Sequence, residues 1–173
     1  LSGTGSENFS VDSSGNISLV NALDYETATS YTLALNASDG VNTTTSELII
    51  TVDDVNEAPS LTNALAASSF AENVSTGTTI ATASASDPES QAITYSLSGT
   101  GSGNFAVDSS GNITLAAGLD YETATSYSLT LSASDGVNTT TNTLAISISA
   151  VNEAPSLTNA LAASSFAENV ATG

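Results

Sequence analysis

Hydrophobic and polar residues alternate along several short stretches of the chain. In residues 127–133 every second residue is hydrophobic, and those between are Ser or Thr. The same period of two recurs in residues 144–148 and 93–97. This period places one face of a strand in a core and the other in water. The pattern therefore predicts strands, and we find no stripe with the 3.6-residue period of a helix.

The alternating stretches are short and are separated by turn residues such as Ser109-Ser110-Gly111-Asn112 and Asp135-Gly136. Seven short strands joined in this way are typical of an immunoglobulin-like β-sandwich. We therefore predict an all-β fold of tandem immunoglobulin-like, seven-stranded Greek-key β-sandwiches. The seven predicted strands lie near residues 69–71, 78–85, 93–97, 105–107, 113–115, 127–133 and 144–148.

The chain repeats itself at a distance of 96 residues. Of the 77 positions that can be compared, 60 are identical, and no gap is needed. A repeat of this length corresponds to a complete small domain. The predicted units are the C-terminal part of one repeat (1–59), a complete repeat (60–155) and the start of a third (156–173), and we expect residues 157–163 to be a first strand or an extended entry segment.

Charge restricts the possible partners. The chain has 18 acidic residues and no Lys, Arg or His, which gives a net charge of −18. Its carboxylates must face water, accept hydrogen bonds or meet a cation from solution. This charge excludes nucleic-acid binding through phosphates, which requires Lys or Arg, and disfavours anionic membrane surfaces. No run of about 18 apolar residues is present, so we predict no membrane span. The expected partner is cationic.

Several residue types needed for catalysis or cross-linking are missing. Without Cys there is no disulfide and no thiolate metal site. This fits an extracellular protein stabilised by another cross-link, although a chance bias against sulfur explains it equally well. Without His, Cys or Lys the chain has no ordinary base near pH 7. We therefore predict that it is not an enzyme.

The acidic residues are grouped in short clusters. Calcium takes about six to eight oxygen ligands, largely carboxylates and carbonyls. Two carboxylates one residue apart on a turn can reach one ion, whereas without a cation they repel each other. The alternative is that they are solvated turns of a secreted or halophilic sandwich. The clusters are Ala71-Glu72-Asn73, Asp87-Pro88-Glu89, Leu119-Asp120-Tyr121-Glu122, Ala133-Ser134-Asp135 and the stretch 52–59 between the first two units.

In their order along the chain, these clusters resemble the calcium motifs of cadherin-type repeats, particularly those of very large bacterial surface proteins. In that family the motifs are PEN, LDRE, DxD, AxD and a DxNDN linker followed by Pro. The corresponding residues are Ala71-Glu72-Asn73 and Ala167-Glu168-Asn169, with Ala replacing Pro; Leu23-Asp24-Tyr25-Glu26 and 119–122, with Tyr replacing Arg; Asp87-Pro88-Glu89; Ala37-Ser38-Asp39 and 133–135; and 54–59, which is one residue shorter than the family linker and has Glu in place of Asp.

The resemblance implies calcium sites between consecutive repeats. Asp53-Asp54 in the first joint is replaced by Ser149-Ala150 in the second, so we expect the second joint to bind fewer ions or to bind them more weakly. The predicted ligands are Asp24, Glu26, Asp39, Asp54, Asn56, Glu57, Glu72, Asp87, Glu89, Asp120, Glu122, Asp135, Asn152 and Glu153.

Two functional hypotheses follow. The first is a structural segment of an extracellular, calcium-stiffened rod, stalk or filament in cell-surface adhesion. The second is a carbohydrate-binding or homophilic adhesion module. The near-identity of successive units favours the first, because a binding module usually diversifies one copy. The expected partners are neighbouring repeats, other copies in a fibre, or a cell-surface partner. We expect Tyr25 and Tyr121 to pack over the end of the sandwich rather than stack on sugars.

Overall fold

The computed structural model describes residues 1–63 and 65–157. In the first region, 1–59, a short 3-10 helix is followed by two antiparallel strand pairs, β1 with β2 and β3 with β4. A small core is centred on Phe9, Tyr31 and Leu33. The elements are the helix Ser6–Asn8 and the strands β1 (Phe9–Val11), β2 (Ile17–Leu19), β3 (Ser30–Ser38) and β4 (Thr43–Thr51).

The predicted complete repeat contains the larger core. It begins with β5 (Ser60–Leu61), β6 (Ser68–Ala71), β7 (Thr79–Thr82), β8 (Ala85–Ser86) and β9 (Thr94–Ser98). A 3-10 helix, Ser102–Asn104, leads into β10 (Phe105–Val107), β11 (Asn112–Leu115), β12 (Ser126–Ser134) and β13 (Thr139–Ser149).

These strands form two layers. One sheet has four strands in the order β6-β13-β12-β9, and the other has three in the order β10-β11-β7, with β5 and β8 pairing separately. Strand β6 runs parallel to β13, whereas β12 is antiparallel to both of its neighbours. The predicted immunoglobulin-like β-sandwich is confirmed.

The core comes from the alternation seen in the sequence. Leu129 and Leu131 of β12 face the interior together with Leu144 and Ile146 of β13, and each is at most 1% exposed. Ile113 of the opposite sheet is equally buried. Burying such a side chain contributes about 1.5–3 kcal/mol. Four leucine and isoleucine side chains from two adjacent strands therefore form the centre of the sandwich.

The predicted strand at 78–85 is interrupted in the structure. Ala83 lies between β7 and β8 and is 2% exposed, and its amide donates to the carbonyl of Gly111. A Cβ on Gly111 would lie 2.4 Å from the carbonyl oxygen of Ala83. Up to Ala83 the chain pairs with β11, and after it β8 pairs with β5, so the interruption marks a change of partner strand. Most of the segment predicted at 157–163 lies outside the described residues.

An aromatic pair, Phe105 and Tyr127, packs with the core of the sandwich. Tyr127 packs edge to face against Phe105 with ring centroids 5.3 Å apart, and its hydroxyl accepts a hydrogen bond from the amide of Asn104. The ring leaves no room for a side chain at Gly101, where φ is +79° and a Cβ would lie 2.5 Å away. The 3-10 turn, which the strand pattern does not predict, therefore depends on a glycine.

Candidate metal centre

The linker, residues 52–59, is tied to the predicted complete repeat by side-chain amide groups. The Asn56 side-chain amide donates to Asp135 Oδ2 at 2.9 Å. The Asn138 side-chain amide donates to the Asn56 carbonyl at 3.1 Å, and Gln91 Nε2 donates to Asn56 Oδ1. Asp135 and Asn138 flank the turn between β12 and β13. These contacts place the linker carboxylates beside the acidic loop that follows β8.

Three carboxylates from distant parts of the sequence meet at this joint. Glu26 precedes β3, Glu57 lies in the linker and Glu89 lies in the loop after β8. One carboxylate oxygen from each lies within 4.8 Å of the other two. The Glu57 backbone amide donates to Glu89 Oε1 at 3.1 Å, which holds the linker against the loop.

The electrostatics of this cluster are unfavourable without a cation. The pKa of Glu57 is raised above its ordinary value, first because its surroundings partly desolvate the carboxylate and then because Glu26 and Glu89 repel its charge. Asp24 and Asp54 add smaller repulsions of the same sign. Four carboxylates therefore repel the charge of Glu57 at the first joint, and the chain has no basic side chain to neutralise them.

Two carboxylate oxygens at the same joint are buried without a partner. Within the described residues, Asp87 Oδ2 and Glu89 Oε2 are shielded from solvent and accept no hydrogen bond. The other oxygen of Asp87 accepts from the Gln91 backbone amide at 3.0 Å, which fixes the side chain. A buried carboxylate oxygen without a donor is costly. A hard cation with oxygen ligands would satisfy both oxygens, so the residues fit calcium.

A second acidic cluster lies at the far end of the complete repeat. Glu72, Asp120 and Glu122 each place a carboxylate oxygen within 4.8 Å of the others. Glu72 is only 5% exposed, and its two oxygens accept from the backbone amides of Tyr121 and Val151. Glu72 therefore joins the end of β6, the loop before β12 and the second linker.

A comparison with known protein families agrees with this fold. A family model described as "Cadherin domain" matches residues 67–149. Residues 67–149 are a cadherin domain. The match falls within the predicted complete repeat and includes β6 to β13, the two-sheet core and all three residues of the second acidic cluster.

The relatives in sequence are cadherin proteins of much greater length. Protocadherin Fat 4 of Mus musculus is 33% identical over 90% of this chain, which covers 3% of that protein. Cadherin-related family member 1 of Mus musculus is 36% identical over 74% of the chain, which covers 16% of that protein. The chain therefore spans a small fraction of the relatives that it matches, and neither is named as an enzyme.

Solved structures of cadherin proteins have a similar fold. A crystal structure of human protocadherin-24 EC1-2 has a TM-score of 0.64 and 26% identity, with 87% of this chain and 80% of that chain covered. Mouse cadherin-23 EC22-24 gives a TM-score of 0.60 and 28% identity, over 86% of this chain and 51% of that one. Among the residues that the structure describes, we find no helix that could cross a bilayer.

Four of the predicted ligands differ in their surroundings. Asp120 is held by Thr123, whose backbone and hydroxyl both donate to it, and these bonds lower its pKa. Asp39 lies beyond the far end of β3 from Glu26 and is exposed. Asn152 and Glu153 are also exposed, and within residues 1–63 and 65–157 we find no side-chain hydrogen bond to either. The structure thus brings six of the predicted ligands into two clusters and leaves Asp39, Asn152 and Glu153 apart. The others, Asp24, Asp54, Asn56, Asp87 and Asp135, lie at the first joint beside its cluster.

The sequence analysis missed two residues that position the first joint. Gln91 and Asn138 both donate to Asn56, one to its side chain and one to its backbone. Asn138 belongs to the Asp-Gly-Val-Asn turn that is present in both copies, and this repetition was a usable signal. Gln91 follows the Asp-Pro-Glu cluster and has no counterpart within the chain, so the sequence offered no comparison for it.

The raised pKa of Glu57 predicts how the free energy of unfolding changes with pH when a chelator removes calcium. Because its pKa in the folded chain is raised above the ordinary value of 4.5, the folded state holds its proton more tightly than the unfolded state. Stability should therefore increase as pH falls from neutrality through the raised pKa toward 4.5. Asp24, Asp120 and Asp135 have lowered pKa values, so their stabilising effect is lost only below about pH 4.

Thermal unfolding of the chain across this pH range measures the effect. Glu57→Gln removes the titrating group but keeps its backbone bond to Glu89, so its melting temperature should change less between neutrality and pH 4.5. An unmodified chain whose melting temperature falls steadily over that interval would contradict the prediction.

Proposed function

We propose that the chain is a structural segment of an extracellular rod, stalk or filament that is stiffened by calcium and takes part in cell-surface adhesion. The observation that carries the proposal is the first joint. Glu26 from one region and Glu57 from the linker converge on Glu89 of the next region, and Asp87 and Glu89 each keep a buried oxygen without a donor.

Calcium would supply positive charge at the point where these carboxylates repel one another. Its ligands would be Glu26, Glu57, Asp87 and Glu89, with Asp24, Asp54, Asp135 and Asn56 nearby. Because these residues come from both sides of the linker, holding them together restricts rotation about it. The chain's own contribution is to bring the oxygens together through the bonds of Asn56 to Asp135 and of Glu57 to Glu89.

At the second joint the proposed ligands are Glu72, Asp120 and Glu122, together with Asn152 and Glu153 from the linker. Glu72 is positioned there by two backbone amides. The other half of this site would come from the repeat that begins at residue 156. Asp39 would serve in the same way at a joint with a repeat that precedes the first region, because it occupies the position that Asp135 has in the complete repeat.

The tandem arrangement supports a spacer. Sixty of 77 comparable positions are identical between copies, and Tyr121 is half-buried against the core rather than free to stack on a sugar. Neighbouring repeats are therefore the partners that we propose, with other copies in a fibre or a cell-surface protein as further partners. The setting in a large bacterial surface protein stays a prediction based on the motif resemblance.

Equilibrium dialysis against labelled calcium tests the proposal. The chain should retain calcium, and Glu89→Gln should weaken retention by about tenfold or more, because ligand charge strongly affects affinity. Glu7→Gln is a matched control, since Glu7 lies in the first 3-10 helix, away from both clusters. Equal retention by the two variants would mean that the first joint does not hold the ion.

A further inference from the structure

Glu72 is the one charged side chain that is buried within residues 1–63 and 65–157, with 5% of its surface exposed. Phe70 of β6 packs against the core, and the alternation of a strand puts Glu72 on the same side. The Glu72 backbone amide donates to the Ser149 carbonyl at 3.1 Å, which extends the pairing of β6 with β13 by one residue. The carboxylate therefore lies at the end of the sheet, on its inner side.

Both carboxylate oxygens of Glu72 accept backbone amides from other parts of the chain. Oε2 accepts from Tyr121 at 2.7 Å, and Oε1 accepts from Val151. Tyr121 lies in the loop before β12, and Val151 lies in the second linker, two residues beyond the end of β13. A hydrogen bond to a charged acceptor is stronger than one between neutral groups. One buried side chain thus binds the linker to the complete repeat, and no cation takes part in these bonds.

We propose that Glu72 is a positioning residue that anchors the second linker to the repeat before it, whether or not calcium is bound. This role distinguishes it from Glu122, an exposed member of the same acidic cluster. Neutralising Glu122 only removes repulsion from its neighbours. Neutralising Glu72 removes the acceptor of a buried amide, which is costly. In chelator the two substitutions should therefore act differently on the stability of the chain.

The first linker shows the contact with the repeat that follows it. Asn56 is bound to the turn between β12 and β13 through its side chain and its carbonyl. The linkers are identical at 55–59 and 151–155, so Val151 corresponds to the residue directly before Asn56. Between two complete repeats, the proposal then implies that adjacent linker residues are held by opposite domains. A calcium-free joint of that kind bends at the bonds between these two residues.

Amide hydrogen exchange, measured by NMR on the full chain in chelator, tests the anchor independently of calcium. In the unmodified chain the Val151 amide should exchange slowly, although it lies beyond β13. Glu72→Gln keeps the size of the side chain but offers one acceptor oxygen instead of two, so exchange at Val151 or Tyr121 should become about tenfold faster or more. The Ile148 amide, which donates to the Thr125 carbonyl at 2.8 Å, is the internal control and should change by a smaller factor.

Thermal unfolding in chelator separates the two roles. Glu72→Gln should lower the melting temperature by about 5 °C or more. Glu122→Gln is the matched control and should leave it unchanged or raise it, because repulsion is relieved. Rapid exchange of the Val151 amide in the unmodified chain, or equal melting temperatures for the two variants, would overturn the proposal. Slow exchange at Val151 in a chain that retains no calcium on dialysis would uphold the anchor and refute the calcium function.

Discussion

Saturating calcium should raise the melting temperature of the chain and lengthen it in solution relative to the same chain in chelator. Four carboxylates repel the charge of Glu57 at the first joint, and the chain has no basic side chain, so the calcium-free joint carries uncompensated repulsion. An ion bound to the folded state alone adds about 2.7 kcal/mol per site at a concentration 100 times its dissociation constant. That contribution is a large part of the stability of a small domain.

Small-angle scattering and thermal unfolding measure the two effects on one sample. In chelator, repulsion between Glu26 and the pair Glu57 and Glu89 should separate the first region from the second. The linker from Asn56 onward stays attached to the second region through its amide bonds, so rotation is expected at 52–55. Magnesium is a useful comparison, because it prefers a smaller, strictly octahedral site with several waters. Identical scattering profiles with calcium and with chelator would refute the stiffening.

Asp54→Ala should weaken calcium binding at the first joint by about tenfold or more, because it removes one anionic group. The charge of Asp54 reaches Glu57, as its contribution to the raised pKa of Glu57 shows. The substitution also makes the first joint resemble the second, in which the equivalent residue is Ala150. The second joint is therefore expected to be the weaker site and the more flexible hinge.

Asp53→Ala is the matched control. Its counterpart, Ser149, is the exposed last residue of β13 and pairs with Ala71 of β6. In the first region Asp53 lies two residues past the end of β4, is exposed, and is not among the carboxylates that repel the charge of Glu57. Calorimetry on the three chains should show a loss for Asp54→Ala and little change for Asp53→Ala. Equal affinity in the unmodified chain and Asp54→Ala would mean that Asp54 is not a ligand of the ion.

The strands could be predicted from the sequence because their cause is local. Alternation at Leu129 and Leu131 fixes which face is buried, whatever the partner strand. The break at Ala83 could not be predicted, since it lies where the chain changes its partner strand from β11 to β5. A local pattern determines the periodicity of a strand, whereas an interruption of this kind depends on tertiary contacts.

The site was predictable to a similar degree. Repetition and the order of the acidic motifs indicated which carboxylates to consider. They did not indicate that Glu72 would be buried and fully bonded to backbone amides while Glu89 kept an oxygen without a donor. That difference depends on how the loops close over each carboxylate in three dimensions.

The parallel pairing of β6 with β13 has a mechanical consequence. The first of these strands lies near the start of the cadherin domain and the second at its end, and they are bonded from Ser68 opposite Ile146 to Ala71 opposite Ser149. Tension applied through the two linkers pulls these neighbours in opposite directions along their own axes. The ladder is then loaded in shear, so its bonds must break together rather than one after another. A chain of such domains should therefore resist stretching most strongly where each domain begins and ends.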